Sequence, residues 1–332
     1  MGFTTGEIMT LIAYHEDGTP LYGGYIYNPA ALDAFCSMLS DNGHEPDGKK
    51  IAAINFGGVK DNIETILAAF LFKQFPTWQA GSQAIGDCVS WSCSHAIDVL
   101  GGVEAFLQNK YGPNPWKVAS ECMYGLMRVN VNGRPDYGGD GANGSDAAKA
   151  IMTIGVLFRT TYTVGGTTYN FTNYSGSTAK SYGATGVPSV LVPVANQHKV
   201  VTATQVTDFN TAAQFIQNGY PIQNASSSNP TCQGSRDKDG FGTGRGYSHA
   251  MNYIGVRFGS RPGLLKSNTG WANTVSGPMY PANMPASLQG CAWWEDASVC
   301  DRVLKAGDSF AYSQYQGFPP QTLPNWGSAD FL

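Results

Sequence analysis

Seven cysteines and five histidines are the groups in this chain whose chemistry could carry a reaction. Cys88 stands out by its surroundings, "GSQAIGDCVSWSCSHAIDVLGG" over 81–102. Val89, Cys93, Ala96, Ile97 and Leu100 recur at the spacing of one helix face. Asp87 has the type of an N-cap and Gly101-Gly102 that of a stop, so the spacing predicts a helix beginning at Cys88. A thiol in that first turn feels the positive end of the helix dipole and unsatisfied backbone donors, both of which favour the thiolate nucleophile. Asp87 is a like charge beside that thiolate and opposes it. A cysteine starting a core helix is more often a small hydrophobe. Cys93, in the apolar stripe, and Cys36 and Cys122, within predicted helices, are assigned to the core.

A thiolate needs a base. His95 is two turns along the same helix, about 10 Å from Cys88 by helical rise and out of pairing range. His15 and His44 fall in polar turns, and His198 adjoins Lys199 in a strand-like run. That leaves His249, in "GRGYSHAMNYIGV", where a glycine-rich loop able to admit a substrate backbone enters a strand. By itself a strand histidine is more often a satisfied core residue, but with Cys88 it would form a nucleophile–base pair. No zinc-ligand spacing occurs. "RDKDGFGTG", with Asp237 and Asp239, has part of a calcium-loop pattern but lacks the downstream bidentate Glu, so a solvated turn is expected and no metal or cofactor.

The elements that must position these groups read as helices first and strands later. "MTLIAYHEDGTPLYGGYIYN" alternates around Asp17-Gly18, a hairpin signal, and two helical patterns follow, "PAALDAFCSMLS" and "KDNIETILAAFLF". Residues 1–74 thus read as a small N-terminal extension, with "KQFPTWQAGSQ" as a linker. After the Cys88 helix come helical patterns in "WKVASECMYGLMRV" and in "SDAAKAIMTIGV", the latter capped by Ser145 or Asp146. Strand-like runs follow in "VLFRTTYTVGGTTYNFTNY", "PSVLVPV", "HKVVTATQV", "SHAMNYIGVRF" and "GLLKSN", interrupted by the helix "DFNTAAQFIQNG". The expected class is α+β with two lobes.

The bulk properties exclude several functions. At 332 residues the chain can bury a substantial core. The 20 Lys and Arg are scattered and the net charge is −4, so neither nucleic acid nor an anionic membrane is an expected partner. Charged residues are only 13% of the chain, a low figure that suits a contact surface in an assembly. The N-terminal stretch lacks the basic region of a signal peptide, Gly6 stands where a myristoylation signal needs Ser or Thr, and no apolar run approaches a membrane span. An odd cysteine count leaves at least one thiol unpaired. These features predict a soluble protein of a reducing compartment, cytoplasmic or assembled in a particle, in which Cys291 and Cys300 stay unpaired.

In this order the motifs resemble those of the papain-like cysteine peptidases, particularly their microbial and viral branch, over about residues 75–315, with 316–332 as a tail. "GDCVSWS" is similar to the family's nucleophile segment, with Cys88 as nucleophile and Gln83 as the oxyanion-hole glutamine. "GANGSDAAKAIMTIGV" resembles the substrate-binding loop and its helix, with Gly141 and Ala142 at the backbone-contact positions. "SHAMNYIGV" resembles the histidine strand and "LLKSNTGWA" the strand that orients it, with Asn268 holding His249 and Trp271 covering that bond. There are departures. Val89 replaces the usual aromatic, Gln83 stands one residue nearer the cysteine, Ser267 competes with Asn268 for the orienting position, and residues 1–74 lack the charged helical pattern of the inhibitory propeptide.

The resemblance implies a Cys88–His249–Asn268 peptidase or amidase acting on a peptide or protein through a thioester acyl-enzyme. One alternative is a papain-like fold kept as a non-catalytic structural component of a larger assembly, such as a virus particle, with other subunits as partners. A transglutaminase-type acyl transfer shares the Cys-then-His order but expects an aspartate as third member, which the strand after His249 does not supply.

Overall fold

A computed structural model describes residues 12–14, 20–109, 117–133, 139–282 and 284–324. His15 and the turn containing Asp17-Gly18 lie outside the described residues. On either side of that turn, Ile12–Tyr14 and Pro20–Tyr22 pair antiparallel, as the hairpin signal predicts. The molecule is α+β, built on a seven-stranded antiparallel sheet. Its strands run in the order Ala292–Asp296, Gly263–Ser267, Gly246–Arg257, Ile222–Pro230, Phe310–Ser313 and Thr202–Gln205, with Thr65–Ile66 added against the third. The twelve-residue strand Gly246–Arg257 carries His249 and is buried from His249 to Val256. Successive buried residues, Tyr253 and Ile254, match a strand covered on two sides.

The helix predicted at Cys88 spans Cys88–Leu107 and runs through the glycine pair expected to end it. Gly102 serves a different purpose. A Cβ there would lie 2.6 Å from Leu71 Cα, so glycine lets this helix approach the backbone of the helix Ala68–Gln74. Every residue from Cys88 to Ala105 is buried, and several of the polar ones are bonded. Asp98, for instance, accepts Trp78 Nε1 at 3.0 Å and Val118 N at 2.8 Å. Hydrogen bonding of this kind removes the cost of burying polar groups.

Other elements depart from expectation in detail. The helix after the glycine-rich loop is Gly144–Thr153, and its cap is Asn143, whose Oδ1 accepts Asp146 N at 2.7 Å; neither Ser145 nor Asp146 caps it. "PSVLVPV" forms a short 3₁₀ turn, Ser189–Leu191, and a helical turn, Val192–Ala195, because Pro193 suits a first turn and cannot donate to a sheet. Within "KDNIETILAAFLF" the β-branched Thr65 and Ile66 join the sheet before the helix Ala68–Gln74 starts. Residues 118–130 begin with Ser120–Gly125 and continue as a π-helical turn, Leu126–Asn130.

The stretch from 29 to 74 shares the main hydrophobic core. Phe35 meets Phe310 edge-on at 5.2 Å, and Leu67 to Phe72 are buried between the Cys88 helix and the sheet. Cys36 is half-buried, whereas Cys93 and Cys122 are in the core as expected. All seven cysteines are free thiols, Cys291 and Cys300 included. Among the described residues no helix is long and apolar enough to cross a membrane.

Candidate active site

Cys88 starts its helix fully buried, beneath a loop of glycines. The backbone N–H groups of Ala250, Val89 and Gly24 point at its sulfur and favour the thiolate. Burial outweighs them and, with Asp87 adding, pushes the thiol up to about 12. Asp87 does not cap the helix with its side chain. Its Oδ2 accepts the Tyr174 hydroxyl at 2.9 Å, and burial holds the carboxyl well above the usual range, Tyr174 opposing. That phenol comes from the loop after the Thr161–Asn170 hairpin, and Asp87 Oδ1 is buried without a partner among the described residues.

Ala250 brings the histidine strand to the sulfur, and His249 precedes it. His249 Nε2 lies 3.1 Å from Asn268 Oδ1, and the ring stacks on Trp271 with centroids 4.3 Å apart at 30°. An acceptor on Nε2 places the proton there and leaves Nδ1 as the basic nitrogen; among the described residues Nδ1 has no partner. Burial pulls His249 down to about 4; Asn268 opposes, and the Lys266 charge adds to the fall.

The orienting position falls to Asn268 and not to Ser267 because of the sheet register. Between Leu265 and Lys266 the pairing with Gly246–Arg257 skips Ile254, a bulge that slides the strand end one residue along. Ser267 stays paired within the sheet, opposite Asn252 and Ala292. Asn268 follows it into the turn closed by Trp271 N and Asn268 O at 3.0 Å.

Gln83 is held in the same neighbourhood by loop pairing. Gly81 N meets Thr269 O at 2.9 Å and Gln83 N meets Gly270 O at 2.8 Å. Its side-chain Nε2 donates to Ile85 O at 2.9 Å, inside its own loop. Gly141 takes φ +122°, a conformation suited to glycine, and its N–H donates to the Tyr124 hydroxyl at 2.7 Å. Arg128 clamps the Gly141 carbonyl.

Ala142 makes backbone bonds, and their partner is the chain itself. Ala142 N donates to Gly24 O and Ile26 N to Ala142 O, each at 2.8 Å, in a parallel bridge centred on Tyr25. On the other side Gly24 N and Tyr25 N approach Ser248 O at 3.3 and 3.4 Å, and Ser248 Oγ donates to Tyr25 O at 2.6 Å. Residues 23–27 therefore form a strap between the loop of Ala142 and the strand of His249, passing over Cys88. The Gly-Gly at 23–24 was the available sequence signal, since a chain crossing a tight gap needs residues without side chains.

A second group that sequence reasoning missed stands behind His249. Lys266, fully buried, reaches Glu295 Oε1 at 2.7 Å and Asn229 Oδ1 at 2.6 Å. Asn229 Nδ2 donates to the His249 carbonyl at 3.1 Å, and Tyr253 OH to Glu295 Oε2 at 2.6 Å. Elsewhere, His95 is buried against Trp78 with centroids 4.7 Å apart, away from the sulfur. Asp237 accepts from Asp239 N and Phe241 N and pairs with Arg261, a cross-braced turn, and no cluster fit for a metal occurs among the described residues.

No protein-family profile matches the sequence, and no curated protein is detectably similar to it. Solved structures are. Xylellain, a cysteine protease from Xylella fastidiosa, superposes with a TM-score of 0.55 at 16% identity, over 89% of this chain and 96% of its own. The fold is papain-like. Digestive procathepsin L 3 of Tenebrio molitor larval midgut is a further match, with a TM-score of 0.47 at 11% identity over 80% of this chain and 78% of its own.

Proposed function

We propose that this chain is a papain-like cysteine peptidase of the microbial branch, held closed by its own residues 23–27. The observation that carries the reading is the His249 ring, fixed at Nε2 by Asn268 and covered by Trp271, on the strand whose next N–H points at Cys88. In this reading Cys88 Sγ attacks a peptide carbonyl and its proton goes to His249 Nδ1. The imidazolium then protonates the leaving amine, and water, deprotonated by the same ring, releases the acyl group. The Cys88 N–H would stabilise the oxyanion, with Gln83 turning its amide from Ile85 to assist. Asn268 and, through Asn229, Lys266 would hold the ring's tautomer and place.

The strap supports a dormant state. Full burial keeps the sulfur a thiol and the ring neutral, so displacement of residues 23–27 must precede catalysis. The same burial favours a second reading, a papain-like fold serving as a non-catalytic part of an assembly such as a virus particle. Gly24→Val separates the two, because a Cβ at 24 would lie 1.9 Å from Gly86 O and expel the strap. In that variant the peptidase reading expects covalent labelling of Cys88 by an epoxide thiol inhibitor and cleavage of unfolded protein. Labelling no faster than that of Cys232, with no cleavage, would leave the structural reading.

A further inference from the structure

The Cys88–Leu107 helix borders a cavity far from the sulfur. Ile97, Gly101, Glu104 and Ala105 recur at the spacing of one helix face and form the floor of a space of about 380 Å³. That volume lies within the range of small-molecule sites. Glu104 stands about 24 Å from Cys88 by helical rise. Val156 and Phe158 line one wall, and Tyr315 lines another. His198 meets Phe158 edge-on with centroids 4.7 Å apart. His198 and Lys199 are exposed, which sets them at the mouth. Glu104 itself is only 6% exposed, so its carboxyl has left water. Its Oε1 accepts Gln321 Nε2 at a long 3.4 Å, and its Oε2 has no hydrogen-bond partner among the described residues. No lysine or arginine pairs with it among those residues. Burial raises the carboxyl, and only the neutral donors of Tyr315, Gln321 and Gln108 stand close enough to oppose that rise.

A carboxylate taken out of water is costly unless a cation meets it, so the floor favours a positive charge. The rings of Phe158 and Tyr315 in the walls favour the same sign. His198 does not supply it, because burial pulls that ring down and keeps it neutral at neutral pH. A simple amine would answer Glu104 but would meet the like charge of Lys199 at the mouth. A ligand that also carries a carboxylate answers both. We propose that this cavity binds a short peptide with both termini free, its ammonium against Glu104 and its carboxylate toward Lys199. Ile97, Val156 and Phe158 then cover its apolar side chains. Neither Cys88 nor the strap takes part, so the site is independent of the peptidase reading.

Titration calorimetry on the full-length chain tests this with Leu-Leu, acetyl-Leu-Leu and Leu-Leu-amide. Leu-Leu should bind, and blocking either terminus should weaken binding at least about tenfold. Glu104→Gln, which keeps the shape of the floor, should weaken Leu-Leu as much and leave acetyl-Leu-Leu unchanged. Lys199→Met, at an exposed position, should weaken Leu-Leu and leave Leu-Leu-amide unchanged. No binding of Leu-Leu, or equal binding of the three peptides, overturns the proposal. So does a Glu104→Gln chain that still separates Leu-Leu from acetyl-Leu-Leu. Tighter binding of Leu-Leu to Lys199→Met would mean that Lys199 itself occupies Glu104, and would overturn it too.

Discussion

At the scale of single residues, the site is a contest between position and burial. Cys88 has what the helix start offers, yet full desolvation drives its thiol to about 12, and a buried His249 at about 4 cannot share the proton with it. Opening the cleft to water removes the largest cause of both shifts. In the proposed mechanism Asn268 then sets how well the ring works. In the Gly24→Val background, Asn268→Ala should lower kcat on the order of 10²-fold with little change in KM, because the ring loses its tautomer and not its substrate contacts. Steady-state kinetics check this, and an unchanged kcat would remove Asn268 from the site. Asp87 is the residue whose type misled: its carboxylate satisfies a tyrosine hydroxyl contributed from 87 residues away in sequence, a contact no local rule contains.

At the scale of elements, two close fits hold the site together. Lys266 and Glu295 form a buried pair that, through Asn229, fixes the backbone of the histidine strand. Lys266→Met leaves Glu295 buried without its cationic partner, and should cost about 3–5 kcal/mol in urea unfolding. Adding Glu295→Gln should restore much of that loss. The second fit is the crossing at Gly102. Gly102→Val would push a branched side chain into the Leu71 backbone and should cost about 1–3 kcal/mol, read from the same unfolding curves. The apolar spacing made the Cys88 helix legible, and its Asp87–Cys88 start as well. Its end was not legible, since a glycine pair means a stop in isolation and a close approach when another helix lies across it.

At the scale of the whole molecule, buried titratable groups set how stability varies with pH. Burial raises Asp98 and Asp308 each to about 7. A carboxyl raised on folding stabilises most below its unfolded value, about 4, and that stability is lost as pH rises through 7. Burial lowers His249 to about 4 and His95 to about 3, and an imidazole lowered on folding costs stability as pH falls below about 6.5. Burial also raises Asp87, Glu64, Glu104, Glu121 and Asp146, so between pH 4.5 and 6.5 the carboxyls outweigh the imidazoles and Tm should fall as pH rises. Asp98→Asn removes one carboxyl from the balance, and Tm should then fall less steeply across that window. Scanning calorimetry decides it; an unchanged slope would mean that Asp98 is not protonated in the fold.

The sequence alone determined the α+β class, the helix that begins at Cys88, and the strand that carries His249, because hydrophobic period and residue type are local properties. It also named Asn268 as the residue against His249, with Ser267 as the competing position. That choice needed the sheet, where skipping Ile254 shifts one strand end by a residue. Tertiary structure likewise decided that residues 23–27 lie over the sulfur and that the thiol is fully buried. Desolvation and a gap between two loops depend on what packs around an atom, and neighbours distant in the chain leave no period or spacing to read.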